Sequence, residues 1–123
     1  YFRATDGTNG RELWKSDGSS VGTLIVKDIN PGAGESFPEK LISFEDDLYF
    51  MANDGNNGYE LWRSDGTASG TVMVKNTYSA ISNTYETFGG YYIEYFHLSV
   101  HDDTLYFVAN DGTNGFELWK YEL

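Results

Sequence analysis

Apolar and polar positions change places every few residues along this chain. "KLISF" (40–44), "LYFMA" (48–52), "YELWR" (59–63) and "TVMVK" (71–75) are short runs rich in β-branched and aromatic residues. Between them lie "EDD", "DGNNG" and "SDGTASG", whose Gly, Asn and Asp tolerate the positive φ that tight turns demand. The pattern predicts four antiparallel strands joined by hairpins. Alternation within each run is weak and both faces are apolar, as expected of a sheet covered on its two sides. No segment carries a helical period with capping residues.

The same lettering returns along the chain. Residues 1–27 laid over 49–75 match at 17 of 27 positions, and 49–63 laid over 106–120 match at 11 of 15. The copies read "YFRATDGTNGRELWKSDG", "YFMANDGNNGYELWRSDG" and "YFVANDGTNGFELWKYEL". A period near 48 residues suits propeller blades of the WD40 and kelch kind, with four antiparallel strands each. The expected fold class is all-β: antiparallel four-stranded blades of a β-propeller, about two and a half blades and about ten strands. Residues 1–27 are a partial blade with strands two to four, and 28–75 a complete blade. Residues 76–99 are an aromatic-rich insertion and blade connection, and 100–123 a partial terminal blade. The insertion is too rich in Tyr and Phe for a flexible linker. Tyr91, Tyr92 and Tyr95 make it a candidate partner or ligand surface.

Composition narrows the function classes. Eight basic against 19 acidic residues give a net charge of −11, which repels nucleic acid and anionic membranes and suits divalent cations. The chain has no cysteine, which excludes thiolate zinc sites, iron–sulfur clusters and disulfides without locating the protein. No apolar run approaches the roughly 18 residues of a membrane span. Tyr1 falls where the other copies are inside a strand, so the sequence reads as an excerpt of something longer, with any targeting segment outside it.

"ELWKSDGSSVGT" and "ELWRSDGTASGT", each after a "DGxNG" turn, resemble the ELWxxDGTxxGT repeats of large bacterial extracellular proteins. "VKDINPG" after the first copy and "LYFxAND" before the next are similar to the same family, and the likeness covers nearly all of the chain outside 76–99. The third copy departs from it, reading "ELWKYEL" without the Ser-Asp-Gly turn or a fourth strand. The resemblance implies β-propellers in secreted or surface-attached multidomain proteins. It implies no activity.

Three features offer candidate chemistry. Asp6 with Asn9, Asp54 with Asn57, and Asp111 with Asn114 place oxygen donors in tight Gly turns, a candidate calcium set. The alternative is an Asx-turn in which Asp and Asn cap their own backbone; an EF-hand loop fails, having Gly55 and Ser64 at two ligand positions. Ser64-Asp65-Gly66 with Thr71, and Ser16-Asp17-Gly18 with Thr23, are similar in position to the Asp-boxes of sialidase-like propellers, which hold a turn. Trp14, Trp62 and Trp119 are candidate sugar-stacking platforms, or else blade-packing residues. Strand alternation places Glu12, Glu60 and Glu117 on the tryptophan side, where a buried carboxylate must accept hydrogen bonds. His97 and His101, four apart, lack a third ligand in sequence. Asp46–Asp47 and Asp102–Asp103 fall in exposed hairpin tips, the wrong setting for a tuned general acid. No Ser–His–Asp order and no phosphate-holding Gly loop stand out.

The expected function is an extracellular or cell-surface, non-enzymatic binding or structural module. A carbohydrate-binding lectin-type propeller and a subunit of an extracellular filament or surface layer are the alternatives. No cofactor is expected beyond possible calcium. The expected partners are further blades of the same polypeptide or neighbouring subunits, with glycans as a candidate ligand, and neither nucleic acid nor membrane insertion.

Overall fold

The computed structural model describes residues 1–77, 85–88, 91–94 and 97–122, with the backbone alone at 85–88 and 91–94. Among them every regular element is a strand, so the all-β expectation holds. The first sheet is β1 (Phe2–Ala4), β2 (Glu12–Lys15) and β3 (Leu24–Lys27). The second is β4 (Glu39–Phe44), β5 (Asp47–Asn53), β6 (Tyr59–Ser64) and β7 (Val72–Lys75). A two-stranded hairpin of β8 (Tyr85–Phe88) and β9 (Tyr91–Glu94) follows, and then a third sheet of β10 (Leu98–His101), β11 (Thr104–Asn110) and β12 (Phe116–Tyr121). All pairings are antiparallel between consecutive strands. The described strands form separate sheets and do not close a ring.

The four expected strands of the middle sheet lie within a residue or so of their predicted limits, because the turns that bound them are set by local chemistry. At the β10–β11 tip, for example, Asp102 and Asp103 both take positive φ (45° and 56°), the two-residue hairpin whose twist matches the strands. Register repeats between copies. Phe2 faces Trp14, Phe50 faces Trp62, and Phe107 faces Trp119. A bulge falls between Leu13 and Trp14 and again between Leu61 and Trp62, where the fourth strand joins.

Strand alternation gives each sheet two unlike faces. One carries the Phe–Trp pair; the other carries the leucine between Glu and Trp. Leu13, Val26 and Ile29 of the first sheet and its connector pack on Leu48, Phe50, Ala52 and Trp62. On the opposite side Tyr49, Met51 and Leu61 pack on Leu105, Phe107 and Ala109 of the third sheet, with Trp119 against the cluster. The middle sheet is therefore covered on both sides, and the five interior residues of β5 are all buried. Burying a side chain such as Leu61 contributes about 1.5–3 kcal/mol. Two apolar clusters hold three sheets in a stack.

Candidate functional site

The first turn is built alike in all three copies. Thr8 and Asn9 N–H donate to Asp6 Oδ1 at 2.8 and 2.7 Å, and the Asn9 side-chain amide donates to Oδ2 at 2.8 Å. Asp54 accepts the same three bonds from Asn56 and Asn57 at 2.7–2.9 Å, and Asp111 accepts them from Thr113 and Asn114 at 2.8 Å. Upstream, the side-chain oxygen of Thr5, Asn53 or Asn110 receives the N–H of the turn glycine. Donors from Thr8 and Asn9 hold the Asp6 carboxyl below the usual carboxylate range, and those from Asn114 and Thr113 do the same for Asp111. Burial opposes ionisation at Asp54, but the bonds from Asn57 and Asn56 outweigh it and its carboxyl is also lowered. On the candidate calcium set Asp6, Asn9, Asp54, Asn57, Asp111 and Asn114, both carboxylate oxygens thus face N–H donors. Among the described residues no three His, Cys, Asp or Glu side chains gather as a metal cluster.

The second turn is a larger version of the same device. Asp17 Oδ1 accepts from the Ser19 N–H and hydroxyl at 2.9 and 2.7 Å, and Asp65 Oδ1 accepts from Thr67 at 2.8 and 2.7 Å. Ser16 with Thr23, and Ser64 with Thr71, close the base through hydroxyls 2.7 Å apart. The second glycine of the motif has a steric reason. A Cβ on Gly22 would stand 2.0 Å from Asp17 Oδ1, and one on Gly70 would stand 2.1 Å from the Asp65 carboxylate. The carboxylate lies directly over the glycine. Bonds from Ser19 and from Thr67 lower the carboxyls of Asp17 and Asp65.

Glu12 and Glu60 are buried on the tryptophan side and hydrogen-bonded, as expected. Glu12 receives the N–H of Ile29 at 2.9 Å and of Ser36 at 3.1 Å, with the Asn30 N–H at 3.4 Å and the Ser36 hydroxyl in addition. It gathers the connector between the first two sheets beneath β2. The connector is also held by Gly10 N–H to Gly32 O, Phe37 N–H to Arg11 O and Asn53 N–H to Ser36 O. Arg3 and Arg11 flank the Phe37 ring at 4.9 and 5.3 Å, each paired with a glutamate. Burial raises the Glu12 carboxyl pKa despite the bonds from Ser36 and Ile29. Glu60 accepts from the Thr77 N–H at 3.0 Å and hydroxyl at 2.8 Å. Glu117, at the same parity in the third copy, is exposed because no neighbouring segment among the described residues covers it.

The three tryptophans have different surroundings. Trp62 is 6% exposed and belongs to the core between the first and second sheets, with its Nε1 donating to Ala52 O. It offers no platform for a sugar in this arrangement. Trp14 and Trp119 are half-buried, and Trp119 lies 6.3 Å from Phe107, centroid to centroid, with its Nε1 donating to Ala109 O. Trp119 lines a groove of about 330 Å³ with Val74, Lys75, Phe107, Lys120 and Tyr121. Tyr91 and Tyr92 fall in β9, and their side chains, like Tyr95 altogether, lie outside the described residues. His97 and His101 are exposed, and His101 Nε2 stands 3.3 Å from Asp102 Oδ2.

Two features escape a strand-by-strand reading of the sequence. Lys15 Nζ donates to Gly66 O at 2.7 Å and Lys27 Nζ to Thr71 O at 2.8 Å, clasping the first sheet to the second turn of the next. The β8–β9 hairpin inside the insertion is the other; its signal is "YETF" and "YYIE" separated by Gly-Gly. No family model, curated protein or solved structure matches this chain.

Proposed function

We propose that the chain is a run of propeller-type blades, 1–27, 28–75 and 100–123, from an extracellular or cell-surface protein, acting as a non-enzymatic binding or structural module. The observation that carries this reading is the middle sheet, a four-stranded antiparallel meander sandwiched by a neighbour on each face in equivalent registers. The repeat near 48 residues and the ELWxxDGTxxGT resemblance support it. The polar groups support a scaffold as well. The turn aspartates and Glu12 are taken up by N–H and O–H donors that fix loops, which leaves them poor candidates for proton transfer. Further blades or neighbouring subunits complete the ring. The test is location: an antibody against the chain labels intact source cells or their secreted fraction. Labelling only after permeabilisation refutes the extracellular reading.

One observation favours glycan binding as a second reading. The Trp119 groove joins an indole and two further rings to Lys75 and Lys120, a combination suited to an acidic sugar. A glycan array probed with the chain and with Trp119→Ala tests it; equal signals from both refute it.

A further inference from the structure

The chain makes one contact twice. The leucine face of β1–β3 packs on the Phe50–Trp62 face of β4–β7, and the leucine face of β4–β7 packs on the Phe107–Trp119 face of β10–β12. At the rim of the first contact Lys15 bonds to Gly66 O. The members of this series at the two ends have no counterpart among the described residues. Leu118, the third leucine, is 68% exposed, where Leu13 and Leu61 are 0% exposed. Phe2, the first phenylalanine, is 38% exposed, where Phe50 and Phe107 are 0% and 2%. Along β11 buried residues alternate with half-buried Tyr106 and Val108 on the leucine side, whereas β5 is buried on both sides. One end presents the donor half of the contact and the other end presents its receptor.

We propose that the leucine face of β10–β12 docks on the tryptophan face of β1–β3 of a second copy of this chain, head to tail. This rests on the stacked-blade reading above. Leu118 then takes the place of Leu13, against the second copy's Phe2 and Trp14. Lys120, in the register position of Lys15, reaches the Gly18 carbonyl, which corresponds to Gly66. In the free chain Lys120 bonds to Glu122 and Asp17 stands exposed beside Gly18, so the rim charges are complementary. Leucine face against leucine face would bring Tyr106 and Phe116 but no facing Phe–Trp pair to receive the leucine, which disfavours a two-fold dimer. The contact is heterologous, so association continues beyond a dimer unless the rotation closes a ring.

Sedimentation velocity of the 123-residue chain tests this over a wide concentration range. Wild type associates with rising concentration, whereas Leu118→Asp and Phe2→Asp are each monomeric with a native far-UV spectrum. Ile25→Asp, in β3 opposite Trp14, replaces Phe2→Asp if that variant misfolds. Mixing the two monomeric variants gives a 1:1 dimer and nothing larger, because each retains one intact face. Lys120→Glu, which sets a carboxylate against Asp17 and the Gly18 carbonyl, weakens association about tenfold. A monomeric wild type, variants that associate like wild type, or a mixture that stays monomeric each overturns the proposal. Leu61→Asp separates this from the stacking itself. It lowers the melting temperature if the sheets stack within the chain, whatever the wild type's association, and an unchanged melting temperature refutes the stacked-blade reading.

Discussion

Replacing Glu12 by Ala removes one carboxylate and strands a whole connector. In the native chain Glu12 is fully buried and accepts the Ile29 and Ser36 N–H groups and the Ser36 hydroxyl, with Asn30 at the edge. A buried donor left without a partner costs about 1–3 kcal/mol. Three backbone donors are affected, the Asn30 bond being the longest, Ser36 is itself buried, and water entry recovers part of the loss. The expected destabilisation is about 3–5 kcal/mol. For a chain of this size that lowers the melting temperature by about 12–20 °C. Glu12→Gln keeps one acceptor oxygen but turns an NH2 toward the donors, so it costs less than Ala and more than nothing. Glu117→Ala is the control, because the same motif position is exposed in the third copy, and it changes stability by about 0.5 kcal/mol or less. Thermal and urea melts followed by circular dichroism measure all three. The reasoning fails if Glu12→Ala costs no more than Glu117→Ala.

Gly70→Ala is expected to cost about 1–3 kcal/mol, because its Cβ would displace the Asp65 carboxylate and break its bonds to Thr67. The double variant with Asp65→Ala should cost little more than either single change, and urea melts showing simple additivity would refute the coupling. Stability against pH has two limbs of opposite sign. The lowered carboxyls of Asp6, Asp17, Asp54, Asp65 and Asp111 contribute stability that is present above 3.8 and lost as pH falls through their folded values. Glu12, raised from 4.5, contributes stability that is fully present below that value and lost as pH rises through its folded value. Urea melts across this range should show a weaker fall on the alkaline side in Glu12→Gln; an identical profile would contradict the assignment. Calcium should leave the melting temperature unchanged up to millimolar levels, because N–H donors already occupy the turn carboxylates. A rise relative to a chelated sample would show that those turns take the metal.

What the sequence made legible is what its chemistry settles locally. The DGxNG turn closes within three residues, from Asp54 to Asn57, so its letters alone predict it. The strands follow because such turns bracket short apolar runs. Parity along "YELWR" placed Glu60 on the tryptophan side and required it to be satisfied, and the structure satisfies it. The identity of the partner was not legible. Glu12 finds Ile29 and Ser36 at separations of 17 and 24 residues, and Lys15 finds Gly66 across 51. Those pairings depend on how one sheet lies on the next. Trp62 and Trp119 make the same point. Both sit in "ELW" and both donate Nε1 to the alanine of the facing strand, yet only Trp62 is deep in a core. The β8–β9 hairpin was within reach of local reasoning, since Gly-Gly between two aromatic runs is a hairpin signal.

The three letters Glu-Leu-Trp then divide the work of one strand among three contacts on its two faces. In β2, Glu12 turns to the connector that leaves its own sheet, Leu13 to the sheet that follows, and Trp14 to the side on which Trp62 receives Leu13 one copy later. Each letter is buried only where another segment supplies its complement. Glu needs buried N–H groups, Leu needs an aromatic face, and Trp needs an aliphatic one. In the first two copies the Glu and Leu positions are engaged within the chain; in the third, Glu117 and Leu118 are exposed. The motif recurs because it encodes contacts between neighbours. A ligand pocket would need converging polar groups that the locks leave available, and the turn aspartates and Glu12 are used instead to fix geometry. Among the described residues, the Leu118 face, the Phe2 face and the Trp119 groove are the surfaces that these contacts leave exposed.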